Sequence, residues 1–124
     1  MKTKVLLLAF IAIMGIASIT SAQPWTLYQT GVPYSLFGVD FSTFNPNIGV
    51  AVGQGGTVIR TTDAGEEWTL TYQNIDIWMN DVQFDPNSFG VVWAAGMGGV
   101  IIRSADFGLT WHVVRPFSTP DHTI

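Results

Sequence analysis

Cysteine is absent from all 124 residues, and only 11% of the chain is charged. The first absence excludes a disulfide-stapled scaffold. Basic residues are also scarce: five in all, two of them within the first four positions. That scarcity excludes a basic nucleic-acid binder. Helical periodicity is missing as well, since no stretch beyond residue 22 repeats its apolar residues every three or four positions. What the chain has is apolar content, 48% hydrophobic, with 13 glycines and five tryptophans. Such a composition excludes a disordered tail, and the length admits at most one small domain.

The N-terminus accounts for part of the hydrophobicity. Lys2 and Lys4 precede an apolar run from Val5 to Ile19, which closes on Thr20-Ser21-Ala22. A short basic region, an apolar stretch and small residues before a cut are the layout of a secretory signal peptide. The run is shorter than the roughly 20 residues a membrane span needs. Residues 1–22 are therefore expected to be a leader cleaved after Ala22, leaving no membrane span, and no cysteine follows to carry a lipid anchor. The mature chain keeps only Arg60, Arg103 and Arg115 against nine acids, a formal charge of −6. That balance disfavours nucleic acid and anionic membranes as partners. An exported chain without cysteine fits a bacterial periplasm, cell surface or extracellular setting.

The remainder repeats itself. Trp25, Trp68 and Trp111 stand 43 residues apart, and nine of the 18 positions from Ala51 to Trp68 are identical to their counterparts 43 residues on. Each unit reads as four short strands separated by turn residues. In the first, Phe37, Val39 and Phe41 alternate with Gly38 and Asp40, as a half-buried strand would. Asn45-Pro46-Asn47 then turns into an apolar strand from Gly49 to Gly53, and Gly55-Gly56 supply positive φ for a tight hairpin. Third strands are expected over Thr57–Thr62 and Val100–Ala105, fourth strands over Glu67–Tyr72 and Thr110–Val114. Four antiparallel strands in some 40–45 residues make a β-propeller blade. The expected fold is all-β: a partial β-propeller with blades at about 36–77 and 78–115, plus a leading strand from Trp25 to Gln29.

The turn between third and fourth strands reads Thr61-Thr62-Asp63-Ala64-Gly65-Glu66-Glu67-Trp68, and its copy Ser104-Ala105-Asp106-Phe107-Gly108-Leu109-Thr110-Trp111. This resembles the Asp-box, or BNR repeat, Ser/Thr-x-Asp-x-Gly-x-Thr-Trp. With the preceding Gly-x-Gly-Gly-x-Ile-x-Arg stretch, the unit is most similar to repeats of the Ycf48-type photosystem II assembly factors, and more distantly to sialidase and sortilin-type propellers. Glu67 departs from the usual Thr, and Ala64 and Phe107 stand where a second Gly is usual. The box chemistry is expected to be structural: Thr61 and Ser104 bond across the turn, Asp63 and Asp106 accept backbone N–H groups. Gly65 and Gly108 take the left-handed conformation, while Trp68 and Trp111 fill the wedge between blades.

Catalytic chemistry is not expected. The resemblance to sialidases implies an arginine triad, a Tyr–Glu pair and an Asp acid/base outside the box, yet only three arginines remain and the Phe/Tyr-Arg-Ile-Pro motif is missing. Glu66 and Glu67 are adjacent beside a strand and so point to opposite faces. His112 and His122 lack the spacing and carboxylates of a metal site, and Gly53-Gln54-Gly55-Gly56 precedes a strand rather than the helix of a phosphate loop. Neither cofactor nor metal is expected. Arg60 and Arg103 occupy the same place in successive units. They either bond local carbonyls or, as the Ycf48 resemblance implies, form a patch that docks a partner. Trp78, in the loop-like stretch from Asn74 to Asn80, is either core or an exposed ligand contact.

A closed propeller takes about 4–8 blades. Two blades are thus expected to be the N-terminal part of a longer propeller, or short subunits that close a ring as homo-oligomers. The function expected is an exported, non-enzymatic binding or assembly scaffold. The alternative is a glycan-binding module or remnant of a sialidase-like glycoside hydrolase.

Overall fold

A computed structural model describes residues 24–118; the leader expected over residues 1–22, and His122, lie outside the described residues. Eight strands form two four-stranded antiparallel sheets, each a meander in chain order. The first sheet comprises β1 (Leu36–Phe41), β2 (Gly49–Gly53), β3 (Val58–Thr61) and β4 (Thr69–Tyr72). The second comprises β5 (Met79–Phe84), β6 (Val92–Gly96), β7 (Ile101–Ser104) and β8 (His112–Arg115). The two sheets are consecutive propeller blades. Their β2–β3 and β6–β7 turns pass through left-handed glycines, with φ of 68° and 58° at Gly55 and Gly56, and 65° and 70° at Gly98 and Gly99. Trp68 and Trp111 each stand one residue ahead of the fourth strand rather than within it.

Strand pairing fixes which side chains share a face. Val39, Ala51, Ile59 and Leu70 are cross-strand neighbours in the first blade, as are Val82, Ala94, Ile102 and Val113 in the second. These are repeat-equivalent sets: Ala51 and Ile59 are as buried as Ala94 and Ile102, and Leu70 and Val113 are both exposed, so the difference between them lies on the first strands. The second blade turns its set toward the first blade, whose opposite face contributes Val50, Val52 and Val58 to the shared core. β1 and β5 come so close that a Cβ on Gly38 would lie 3.2 Å from the Asp81 Cα, so glycine fits there best. Val82 and Phe84 are accordingly 5% exposed, whereas their counterparts Val39 and Phe41 are 59% and 36% exposed.

This reverses the expectation for β1. Its apolar side, Phe37, Val39 and Phe41, faces outward, while the Gly38 and Asp40 side faces the second blade. The cause is topological: the apolar side of each first strand packs on the preceding blade, and no described strand lies there. The leading strand expected over Trp25–Gln29 is also not formed. Residues 24–30 have no strand structure, and Trp25 is fully exposed, with no described strand beside it to pair with.

Candidate functional site

Each Asp-box is a closed hydrogen-bonding unit. In the first, the Thr61 hydroxyl donates to Asp63 Oδ1 at 2.7 Å and accepts from the Gly65 N–H at 2.9 Å. Asp63 Oδ1 also accepts from the Glu67 N–H at 2.9 Å, and the Trp68 indole N–H donates to the Gly65 carbonyl at 3.0 Å. The second box repeats this set through Ser104, Asp106, Gly108 and Trp111. It adds one bond, from the Thr110 hydroxyl to Asp106 Oδ2. Glu67, in the position of Thr110, cannot supply it.

The two carboxylates titrate accordingly. The Glu67 N–H, followed by the Thr61 hydroxyl, lowers the Asp63 pKa. Burial opposes ionisation of Asp106, but the Thr110 and Ser104 hydroxyls and the Thr110 N–H outweigh it and bring the carboxyl to about 2. Acids this well satisfied stay ionised at neutral pH. They are poor proton donors or bases.

Ala64 and Phe107, at φ of 60° and 59°, hold left-handed conformations that L residues adopt at a cost, which explains the glycine usual at this position. Phe107 gains compensating contact, packing edge-on to Phe89 at 4.9 Å. Ala64 has no comparable side-chain contact to offer.

The two repeat-equivalent arginines are in different situations. Arg60 is committed: its Nε donates to the Phe107 carbonyl of the second blade's box at 2.8 Å, tying the blades together. Two further bonds cross the same junction. The Phe84 N–H donates to Asp40 Oδ2 at 2.7 Å, and the Trp111 indole donates to the Thr71 hydroxyl at 3.2 Å. Arg103 lies on the outer face of the second blade, over the Trp93 ring at 5.5 Å. The structure therefore does not bring Arg60 and Arg103 into one patch. Trp93, like Trp78, falls outside the repeat identities, its counterpart being Val50, so the repeat assigns it no role.

Trp78 is 44% exposed and packs against the half-exposed Phe37, ring centroids 5.7 Å apart. This aromatic pair sits where the starts of β1 and β5 approach each other. Elsewhere on the described surface, Tyr34, Tyr72, Asn74 and Ile75 line an open cleft of about 420 Å³. His112 is exposed on β8, and no group of three or more His, Asp or Glu side chains that could hold a metal occurs among the described residues. No helix among them is long and apolar enough to cross a membrane.

The sequence matches the family described as photosynthesis system II assembly factor YCF48 over residues 17–119. The chain belongs to this family. Among solved structures it is similar to YCF48 from Cyanidioschyzon merolae, at 27% identity and a TM-score of 0.65, over 76% of this chain and 30% of that one. A structure of YCF48 bound to D1 peptide shares the fold at 20% identity and a TM-score of 0.66, over 84% of this chain and 32% of that one. The chain thus spans about a third of the Ycf48 structures it matches. No curated protein matches it.

Proposed function

We infer that this chain is an exported, non-enzymatic scaffold of the Ycf48 family that binds a protein partner through a peptide segment. The observation that carries the reading is the division of labour among its polar and aromatic groups. Both Asp-box carboxylates are spent on their own turns, whereas the Trp78–Phe37 pair stands half-exposed on the surface. Large aromatic side chains, Trp above all, are enriched among the anchors of protein contacts. A similar structure being that of YCF48 bound to D1 peptide supports a peptide as the ligand class. The Lys2–Ala22 layout supports export.

Calorimetry with a D1-derived peptide, and in parallel with an oligosaccharide panel, tests the reading. Peptide binding is expected, weakened roughly ten-fold or more by Trp78→Ala. Saccharide binding lost in the same variant, or no peptide binding at all, contradicts it.

A further inference from the structure

The meander sends the turns of each blade to two opposite ends, and the β1–β2, β3–β4, β5–β6 and β7–β8 turns share one of them. Three phenylalanines meet there. Phe44 of the β1–β2 turn packs edge-on to Phe89 of the β5–β6 turn, ring centroids 5.5 Å apart, and Phe89 packs on Phe107 of the second box at 4.9 Å. The row crosses from one blade to the other. The structure holds both blades that build it, so it lies on turn tips and not on a blade's outer face. Trp78, just ahead of β5, is at the opposite end.

The fold does not call for these rings. One repeat away, Phe44 has Asn87 as its counterpart, Phe89 has Pro46 and Phe107 has Ala64. The turns close the same way without them. The Ser42 N–H donates to the Ile48 carbonyl as Asp85 does to Val91, and Ala64 donates to the Asn47 carbonyl as Phe107 does to Gly90, all at 2.9 Å. Phe107 even takes φ of 59°, a rare conformation for a bulky residue. Strain of that kind persists where something besides the turn shapes the position. Bracing the junction would bury the row, yet Phe44 is 47% and Phe89 73% exposed. Exposed apolar clusters that folding does not require mark contact surfaces.

The charge at this end selects the occupant. Asp63, Glu66, Glu67, Asp85 and Asp106 all lie in its turns. Asp106 directly precedes Phe107, and Asp85 opens the turn that carries Phe89. The Asn87 N–H, followed by the Ser88 hydroxyl, lowers the Asp85 pKa, so Asp85 is ionised at neutral pH as the two box carboxylates are. Arg115 closes β8 at the other end. Arg60 and Arg103 precede the boxes on β3 and β7, but Arg60 is bound to the Phe107 carbonyl and Arg103 lies over Trp93 on the outer face. Carboxylates therefore dominate around the row.

We propose that the Phe44–Phe89–Phe107 row is a second docking surface, whose occupant is a protein segment carrying apolar side chains flanked by lysine or arginine. The apolar side chains cover Phe44 and Phe89, while the flanking cations meet the surrounding carboxylates and steer the encounter. The same carboxylates oppose an anionic lipid surface. The inference does not rest on the peptide-binding reading at Trp78.

Fluorescence anisotropy with the full chain tests it, the probe being a labelled, end-capped peptide with Phe-Leu-Phe between paired lysines. Binding is expected, weakening as salt is raised. Phe89→Ser and Phe44→Ser are each expected to weaken it roughly ten-fold or more. Glu66→Gln combined with Glu67→Gln is expected to weaken it about three-fold and to flatten the salt dependence. Trp78→Ala is expected to leave it unchanged, which separates this surface from the one at the other end. Circular dichroism checks that each variant is folded. Absence of binding overturns the proposal, as does equal binding of a peptide with glutamates for the lysines or serines for the apolar centre. So does binding that survives both phenylalanine variants or is lost in Trp78→Ala. Flotation of the protein with neutral phosphatidylcholine vesicles, abolished by Phe89→Ser, also overturns it by making a bilayer the occupant.

Discussion

Replacing glycine by alanine at the two equivalent box positions separates the cost of the turn from the cost of the blade junction. Gly65 and Gly108 both hold positive φ, 97° and 83°. An L residue in the left-handed region costs roughly 1–2 kcal/mol, so both substitutions carry that cost. Their surroundings differ. A Cβ at Gly65 meets nothing nearer than Trp68 Cζ2 at 3.6 Å, an ordinary contact, whereas at Gly108 it lies 2.5 Å from Val50 Cγ2 of the other blade. Val50 is fully buried and has little room to retreat. Overpacking of this kind costs typically 1–3 kcal/mol. Gly65→Ala is therefore expected to cost about 1–2 kcal/mol and Gly108→Ala about 2–5 kcal/mol. Urea unfolding in dilute solution measures both, and for a domain this small each 1 kcal/mol shifts the melting temperature by roughly 4–8 °C. Equal destabilisation by the two substitutions would refute the junction geometry.

Ala64→Gly relieves left-handed strain at an exposed turn and is expected to stabilise by about 0.5–1 kcal/mol, net of glycine's greater unfolded-state entropy, in the same unfolding assay. Phe107→Gly is expected to destabilise, because the strain relieved there is outweighed by loss of the Phe89 contact. The Thr57 hydroxyl is buried without a hydrogen-bond partner, and the second blade has Val100 in its place, so Thr57→Val is expected to stabilise by about 1 kcal/mol. Thr110 and Ser104 hold the folded-state pKa of Asp106 at about 2, below its ordinary 3.8. The associated stabilisation is full above the unfolded-state value and is lost as pH falls through about 2. At this partly exposed, solvent-screened site it amounts to about 1 kcal/mol at most. The stability gap between the parent chain and Asp106→Asn is expected to narrow as pH is lowered from 5 toward 2.

Much of the fold was legible because the repeat encodes it locally. Alternation, turn residues and paired glycines locate each strand, and β2 begins and ends where Gly49 and Gly53 do. Legibility stopped where a property depends on a neighbouring blade. The alternation of Phe37, Val39 and Phe41 shows that β1 has an apolar side, but only the arrangement of blades says whether anything covers it. Arg60 and Arg103 are indistinguishable within their own repeats. They part company because the Phe107 carbonyl, 47 residues downstream, lies across from one and not the other. The leading strand is not formed for the same reason: Trp25 shares the spacing of Trp68 and Trp111, but among the described residues no strand lies beside it to pair with. Trp93 falls outside the repeat identities, so the repeat by itself gives it no partner, and its stacking under Arg103 shows only in the structure.

The account rests on one junction between two copies of one repeat, and amide hydrogen exchange at two equivalent residues tests it most directly. The Phe84 N–H crosses the junction to Asp40 Oδ2 and is part-buried, whereas the Phe41 N–H bonds only its neighbour Asp40 Oδ1 on an exposed face. In dilute solution the Phe84 amide is expected to exchange only through separation of the blades or global unfolding, and the Phe41 amide far faster through local opening. Equal, fast exchange at both positions would contradict the account.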